Sequence, residues 1–116
     1  MKVGTDITVV SRIEKSLEKF GEKFLEKILT QEEQKTLSLK AESIAGYWAA
    51  KEAVSKALGC GISAELGFHD ILIYKDEKRA PHFKLSEKAQ ALHKINGSSL
   101  SIAHDGGFAI AVVVIH

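Results

Sequence analysis

Cysteine is almost absent. Cys60 stands alone in 116 residues, so neither a disulfide framework nor a CxxC-type zinc site can be built, and a lone thiol suits a reducing cytoplasm. Arginine is nearly as scarce. Only Arg12 and Arg79 occur among sixteen basic residues, which leaves little of the bidentate readout that bases and phosphates receive from guanidinium groups. No excess of either charge exists: sixteen Lys+Arg against fifteen Asp+Glu give a formal net charge of +1, and that balance argues against a general nucleic-acid binder. No run approaches the roughly 18 apolar residues of a membrane span, and Met1-Lys2-Val3-Gly4 opens no signal-peptide-like apolar stretch. Internal repeats, low-complexity tracts and interdomain linkers are also missing. These absences predict one soluble, cytoplasmic domain over residues 1–116, without nucleic-acid or membrane partners.

What is present is ordinary globular composition, 45% apolar and 27% charged. A chain of this size buries roughly two-thirds of the surface that its unfolded state exposes, enough for a core without staples. Lys2 to Val10 reads as a β-branched strand interrupted by Gly4 and Asp6. Ser11-Arg12-Ile13-Glu14 has the capping-box pattern, and apolar residues recur at Ile13, Leu17, Phe20, Phe24 and Ile28, one stripe of a helix that Gly21 bends or divides. Thr30-Gln31-Glu32-Glu33 is a second capping box, opening a short helix towards Leu39. Ser43 to Leu58 forms a helix rich in small residues, ended by Gly59, and its closeness to neighbours makes it central. Phe68 to Tyr74 and His82 to Leu85 read as strands around a polar turn, Ser86 to Lys94 as a helix, and Ser98 to His104 as a strand. Asp105-Gly106-Gly107 turns the chain into Phe108 to Ile115, a continuous apolar run typical of a buried strand. Early helices and a late, mostly antiparallel sheet predict an α+β domain packed about the long central helix.

Three places offer chemistry. Asp6 interrupts an apolar strand, where an acid needs exposure or a cation. Trp48, Glu52, Ser55 and Lys56 share a helical face. His104-Asp105-Gly106-Gly107 sets an imidazole and a carboxylate at a glycine-rich strand end, where backbone N–H groups can meet an anion. Carboxylates far apart in sequence, together with lysines, suit a diphosphate held through Mg²⁺, with Mn²⁺ an alternative. Taken singly, each feature is also ordinary: Lys51-Glu52 as a solvated helix face, Asp6 as an Asx turn, His104 as an exposed histidine.

Together the segments resemble holo-acyl carrier protein synthase, a short bacterial member of the phosphopantetheinyl transferases. Gly4-Thr5-Asp6-Ile7 resembles G-x-D-I, with Arg12-Ile13 following at the usual distance. Phe24, Ile28-Leu29-Thr30 and Glu33 resemble F-x-x-x-[IV]-L-T-x-x-E. Trp48-Ala49-Ala50-Lys51-Glu52-Ala53 through Lys56-Ala57-Leu58-Gly59 and Gly61-Ile62 resemble the signature helix W-A-A-K-E-A-x-x-K-A-L-G-x-G-I. Phe68-His69-Asp70-Ile71 is similar to F-x-D-I, and Ser101-Ile102-Ala103-His104 stands where S-[IL]-S-H is usual. Tyr47, Ala103 and Ala80 depart from the pattern, at places where arginine, serine and a G-K-P-like turn are common.

The resemblance implies transfer of the 4′-phosphopantetheine arm of coenzyme A to a serine of apo acyl carrier protein, releasing adenosine 3′,5′-bisphosphate, a step of fatty acid and lipid biosynthesis. It implies Mg²⁺ on Asp6 and Glu52, with Asp105 an additional candidate ligand. Lys56 would stabilise developing charge. Lys51, Ser55, Lys56, Gly59 and His104 would bind coenzyme A. The general base is left between water held by the metal beside Asp6 and the imidazole of His104. Members are homotrimers with sites between subunits, and Arg12, Lys15 and Lys19 offer a face for the acidic carrier. Two other readings compete: a Mg²⁺-dependent diphosphate hydrolase, and a non-catalytic adaptor that binds an acidic protein helix.

Overall fold

A computed structural model describes residues 1–116. The elements are β1 (Lys2–Val9), α1 (Val10–Phe20), α2 (Glu22–Ile28), α3 (Gln31–Thr36), α4 (Ala41–Ala57), β2 (Ile71–Lys75), β3 (Pro81–Leu85), α5 (Glu87–His93), β4 (Ser98–Asp105) and β5 (Phe108–Ile115), with a 3-10 turn at Phe68–Asp70. Every strand pairing is antiparallel. One sheet runs in the order β1-β5-β4 and the other is the hairpin β2-β3, so the expected α+β architecture is observed.

Helix α4 is the axle. Ile44, Ala45, Tyr47, Ala49, Ala50, Ala53, Val54 and Ala57 are all buried, so burial extends around the helix instead of along one stripe. It packs on β1 and β5, whose inward positions are small: Gly4 on β1, Ala109 and Ala111 on β5. A Cβ placed on Gly4 would stand 1.9 Å from the Ala53 carbonyl oxygen and 2.8 Å from the Ala57 nitrogen. The helix backbone therefore lies against the strand with no side chain between them, a contact that only glycine permits.

Local signals explain several boundaries. The Thr30 hydroxyl accepts from the Glu33 N–H at 3.1 Å, and the Glu33 carboxylate accepts from the Thr30 N–H at 2.8 Å, a reciprocal cap. Gly21, at φ 55° and ψ −128°, divides α1 from α2. Gly106 and Gly107, at φ 57° and 84°, close the β4–β5 hairpin in the left-handed conformation of a two-residue turn.

Other expectations are corrected. The capping box at Ser11 does not form: β1 runs straight into α1, the N-cap is Val9 without a side-chain bond, and the Val10 N–H donates to the Gly107 carbonyl at 2.9 Å. Phe20, the last residue of α1, is exposed, whereas Phe24 and Ile28 beyond the break at Gly21 are buried, so the stripe is interrupted there. Phe68–Asp70 winds into the 3-10 turn instead of opening β2. Strand β5 is buried on one face only: Ala109, Ala111, Val113 and Ile115 face α4, whereas Phe108, Ile110 and Val112 are exposed. The apolar run serves two faces, and this chain covers one.

Candidate active site

Strand alternation decides which side chains of the large sheet meet α4. Residues paired directly across a sheet share a face. Asp6 pairs with Ala111, which is buried against the helix, so Asp6 points inward between Gly4 and Thr8. About one turn of α4 brings Glu52 and Lys56 to the same place. Lys56 Nζ donates to Asp6 Oδ1 at 2.9 Å, and the Thr8 hydroxyl donates to Asp6 Oδ2 at 2.7 Å. The Asp6 side chain keeps 13% of its exposure and Lys56 keeps 53%, so the carboxylate is sunk while the ammonium reaches solvent.

Glu52 is half-buried beside them. Burial and the neighbouring Asp6 charge push its carboxyl above the ordinary range, and Lys56 opposes that shift. Asp6, Glu52 and Lys56 thus form a coupled acid–acid–base cluster of oxygen and ammonium groups at the seam of strand and helix. Such a cluster can hold a hard cation and an anionic substrate side by side.

The structure does not bring Lys51 there. Lys51 is fully buried on the other side of α4, and its three protons go to Glu33 Oε1 at 2.7 Å, the Ile28 carbonyl at 2.8 Å and the Phe68 carbonyl at 2.9 Å. Burial lowers its pKa and the Glu33 carboxylate opposes the shift. Glu33 in turn accepts from the Ile73 N–H at 2.8 Å. This buried pair ties α2, α3, α4 and β2 together and leaves no donor for coenzyme A. Ser55 is also fully buried, with its hydroxyl donating to the Glu52 carbonyl at 2.7 Å, so it too is closed to ligand. The reason is shared: α4 is surrounded, and its polar residues at 51 and 55 are core residues.

Asp105 is likewise separated from the carboxylates. It pairs with Phe108, on the outer face of the sheet, whereas Asp6 is on the inner face with β5 between their strands. His104 pairs with Ala109 and so faces inward, but at the far edge of the sheet from Asp6. Its Nδ1 lies 3.2 Å from Glu42 Oε2. Glu42 and His104 wall a cavity of about 140 Å³ with Tyr47, Lys75 and Arg79, and an adjoining one of about 160 Å³ at Gly106-Gly107. Gly59 is exposed past the end of α4, at φ 79°. A wider groove of about 850 Å³, lined by Glu26, Thr30, Gln34, Lys35 and His69 among others, contains none of the expected site residues.

Arg12, Lys15 and Lys19 are exposed on α1 without ion-pair partners, Lys19 lying over the Phe20 ring at 5.3 Å. Thr8, Glu42 and Arg79 were missed from sequence. Thr8 was legible in principle, since it follows Asp6 by two and so shares its face. Arg79 was marked only by rarity. Its role as a wall of the histidine cavity depends on the β2–β3 hairpin folding back over α4.

A domain of this topology, with an aspartate on the first strand and a glutamate and lysine one turn apart on the central helix, matches the model of the 4′-phosphopantetheinyl transferase superfamily over residues 2–113. The chain belongs to that superfamily. Within it, holo-[acyl-carrier-protein] synthase from Sulfurovum sp. (strain NBC37-1) is 54% identical over 115 residues, spanning 99% of this chain and 96% of the relative. The crystal structure of Helicobacter pylori holo-[acyl-carrier-protein] synthase in complex with coenzyme A superposes with a TM-score of 0.94 at 48% identity, covering 98% of this chain and 99% of that one. The Bacillus anthracis synthase in complex with CoA (3′,5′-ADP) follows at 0.82 and 39% identity, covering 98% and 94%.

Proposed function

We propose that the protein transfers the 4′-phosphopantetheine arm of coenzyme A to a serine hydroxyl of apo acyl carrier protein, releasing adenosine 3′,5′-bisphosphate, in the supply of carriers for fatty acid synthesis in the cytoplasm. The observation that carries this reading is the convergence of Asp6, Glu52 and Lys56, in a chain about half identical to holo-[acyl-carrier-protein] synthases along its length.

Asp6 and Glu52 fit a hard divalent cation. Both offer oxygen, neither a thiol nor an imidazole stands with them, and the burial and Asp6 charge that raise the Glu52 pKa are offset by a shared positive charge. These two residues would hold Mg²⁺, with Mn²⁺ admitted by the same donors. When bound, the ion offsets the charge of the coenzyme A diphosphate. Lys56, with its ammonium half in solvent, binds a phosphate oxygen and stabilises charge that builds as the phosphorus–oxygen bond breaks. Thr8 holds Asp6 in orientation through its hydroxyl. The attacking nucleophile belongs to the carrier, so the chain needs only to align it and accept its proton. The acceptor would be either water held beside Asp6 or the His104 imidazole.

His104, Lys75 and Arg79 form a basic wall suited to the nucleotide phosphates, and Arg79 supplies a guanidinium in the same cavity as Tyr47. In one chain β5 separates this wall from Asp6. That separation, together with the exposed sheet face of Val3, Ile7, Val9, Phe108, Ile110 and Val112, supports a homotrimer whose sites are completed by neighbouring subunits. Arg12, Lys15 and Lys19 on α1 receive the acidic carrier.

Intact-mass spectrometry of apo acyl carrier protein incubated with coenzyme A tests the reaction directly. A gain of one phosphopantetheine arm, dependent on magnesium and abolished by chelator, is expected. Consumption of coenzyme A that persists with a serine-to-alanine carrier would replace transfer by hydrolysis. No gain on folded apo carriers would overturn the assignment.

A further inference from the structure

We propose that Cys60, Glu65 and His93 form a second metal site, for Zn²⁺, between the loop after α4 and the end of α5. The Cys60 thiol, a Glu65 carboxylate oxygen and an imidazole nitrogen of His93 lie within 4.8 Å of one another. Small side-chain movements close that triangle onto one ion at the roughly 2.0–2.3 Å bond lengths of zinc.

The independent sign is the histidine. Its side chain retains only 9% exposure, and its Nε2 is buried without a hydrogen bond; the nearest polar atom is Glu65 Oε2 at 3.3 Å, an ion pair only when the imidazole is protonated. A buried imidazole nitrogen without a partner is destabilising, and native proteins seldom leave one. Coordination supplies the partner. The Cys60 thiol makes a long contact to the Ser55 carbonyl at 3.9 Å, and burial and the adjacent Glu65 carboxylate push its pKa up, so in the absence of an ion it stays a thiol.

The donor set selects the ion. Sulfur, nitrogen and oxygen together suit Zn²⁺ and are ill matched to Mg²⁺, which prefers oxygen alone. Three protein ligands leave a fourth position for water, on the side where Glu65 is exposed. Binding forms the zinc–sulfur bond and releases the thiol proton to solvent, with no change of oxidation state. The scaffold is already braced: Ser63 and Leu66 exchange backbone hydrogen bonds at 3.0 and 3.2 Å, and Leu66 is fully buried. Lys88 of α5 reaches the Ala64 carbonyl at 3.5 Å and Asp70 Oδ2 at 3.3 Å. The ion would therefore fasten α5 to the loop that follows Lys56 and Gly59.

Co²⁺ titration of the tag-free, reduced, metal-stripped protein tests this, because cobalt reports its ligands by colour. One Co²⁺ per chain is expected, with a thiolate-to-cobalt charge-transfer band and tetrahedral d–d bands, displaced by Zn²⁺ and untouched by excess Mg²⁺. Zn²⁺ should also raise the melting temperature. Cys60→Ser should abolish the charge-transfer band. His93→Gln and Glu65→Gln, folded by circular dichroism, should each weaken Zn²⁺ at least as much as the roughly 10–100-fold that loss of a mere supporting residue costs. Asp6→Asn should leave the band intact. Absence of the band in the unmodified protein, or unchanged affinity in both His93→Gln and Glu65→Gln, or loss of the band in Asp6→Asn, overturns the proposal.

Discussion

Asp6 and Lys56 meet at 2.9 Å although fifty positions separate them in the chain. Strand β1 brings the carboxylate and helix α4 brings the ammonium, and the two elements touch because Gly4 lets the helix backbone settle on the strand. The ion pair proposed for the active site and the packing contact are thus one arrangement.

Removing either carboxylate of that cluster should stop transfer without unfolding the protein. Asp6→Ala and Glu52→Ala are each expected to lower phosphopantetheine transfer at least about 100-fold, since each would take away half of the carboxylate donors proposed for the cation. Circular dichroism should be unchanged. Normal turnover in either variant would remove the metal assignment.

Lys56→Ala should act on the chemical step. A loss in kcat of about 10²–10³-fold is expected for one charged group aimed at developing phosphate charge, with Lys56→Arg recovering part of it. A rise in KM at unchanged kcat would instead make Lys56 a ground-state binder.

Lys51 should behave as a stability residue despite its place in the signature helix. Lys51→Met leaves the Glu33 carboxylate buried without its cation, which costs about 3–5 kcal/mol in urea unfolding. The double variant with Glu33→Leu should not restore stability, because Glu33 also accepts from the Thr30 and Ile73 N–H groups. In the folded fraction the KM for coenzyme A should stay near its original value, and a large rise would return Lys51 to the ligand site.

Gly4→Ala carries a related test of architecture. A methyl 1.9 Å from the Ala53 carbonyl cannot be accommodated by a flexible side chain, so β1 must lift from α4. Overpacking of this kind costs about 1–3 kcal/mol or more, and Asp6 should move with the strand, so activity should fall in protein that is still folded.

The outer sheet face predicts assembly. Ile110→Glu, at a position 41% exposed amid apolar neighbours, should convert an oligomer into monomer by light scattering and abolish transfer with it, leaving the monomer's circular dichroism intact. A fully active monomer would contradict sites shared between subunits.

Asp70 offers a pH test. Burial acts to raise its pKa, but bonds from the Ser86 hydroxyl and the Gly67 N–H, with the Lys88 charge, outweigh it and leave the carboxyl below its ordinary value. A depressed pKa means stability that is fully present above the unfolded value of about 3.9 and lost as pH falls through the folded one. The difference in unfolding free energy between the native protein and Asp70→Ala should therefore be constant near neutrality and shrink below about pH 4. A gap that widens on acidification would reverse the assignment.

Sequence by itself determined the features whose causes are local. The Thr30–Glu33 cap, the break at Gly21, the glycine turn at 106–107 and the length of α4 rest on neighbouring residues, and all are present. The order of helices and strands, and the nomination of Asp6, Glu52 and Lys56, came from pattern in the same way. Tertiary structure alone decided which side of each element was inside. Helix α4 is enclosed on nearly every side, so Lys51 and Ser55 became core groups although they flank Glu52 in sequence. The pairing register put Asp6 and Asp105 on opposite faces of one sheet, and a shift of one residue would have reversed either. It also left half of β5 uncovered. Burial is a property of what packs against an element, and the packing partners here stand 18 residues away for Glu33 and Lys51, 50 for Asp6 and Lys56, and about a hundred for β1 and β5, beyond the reach of any local signal.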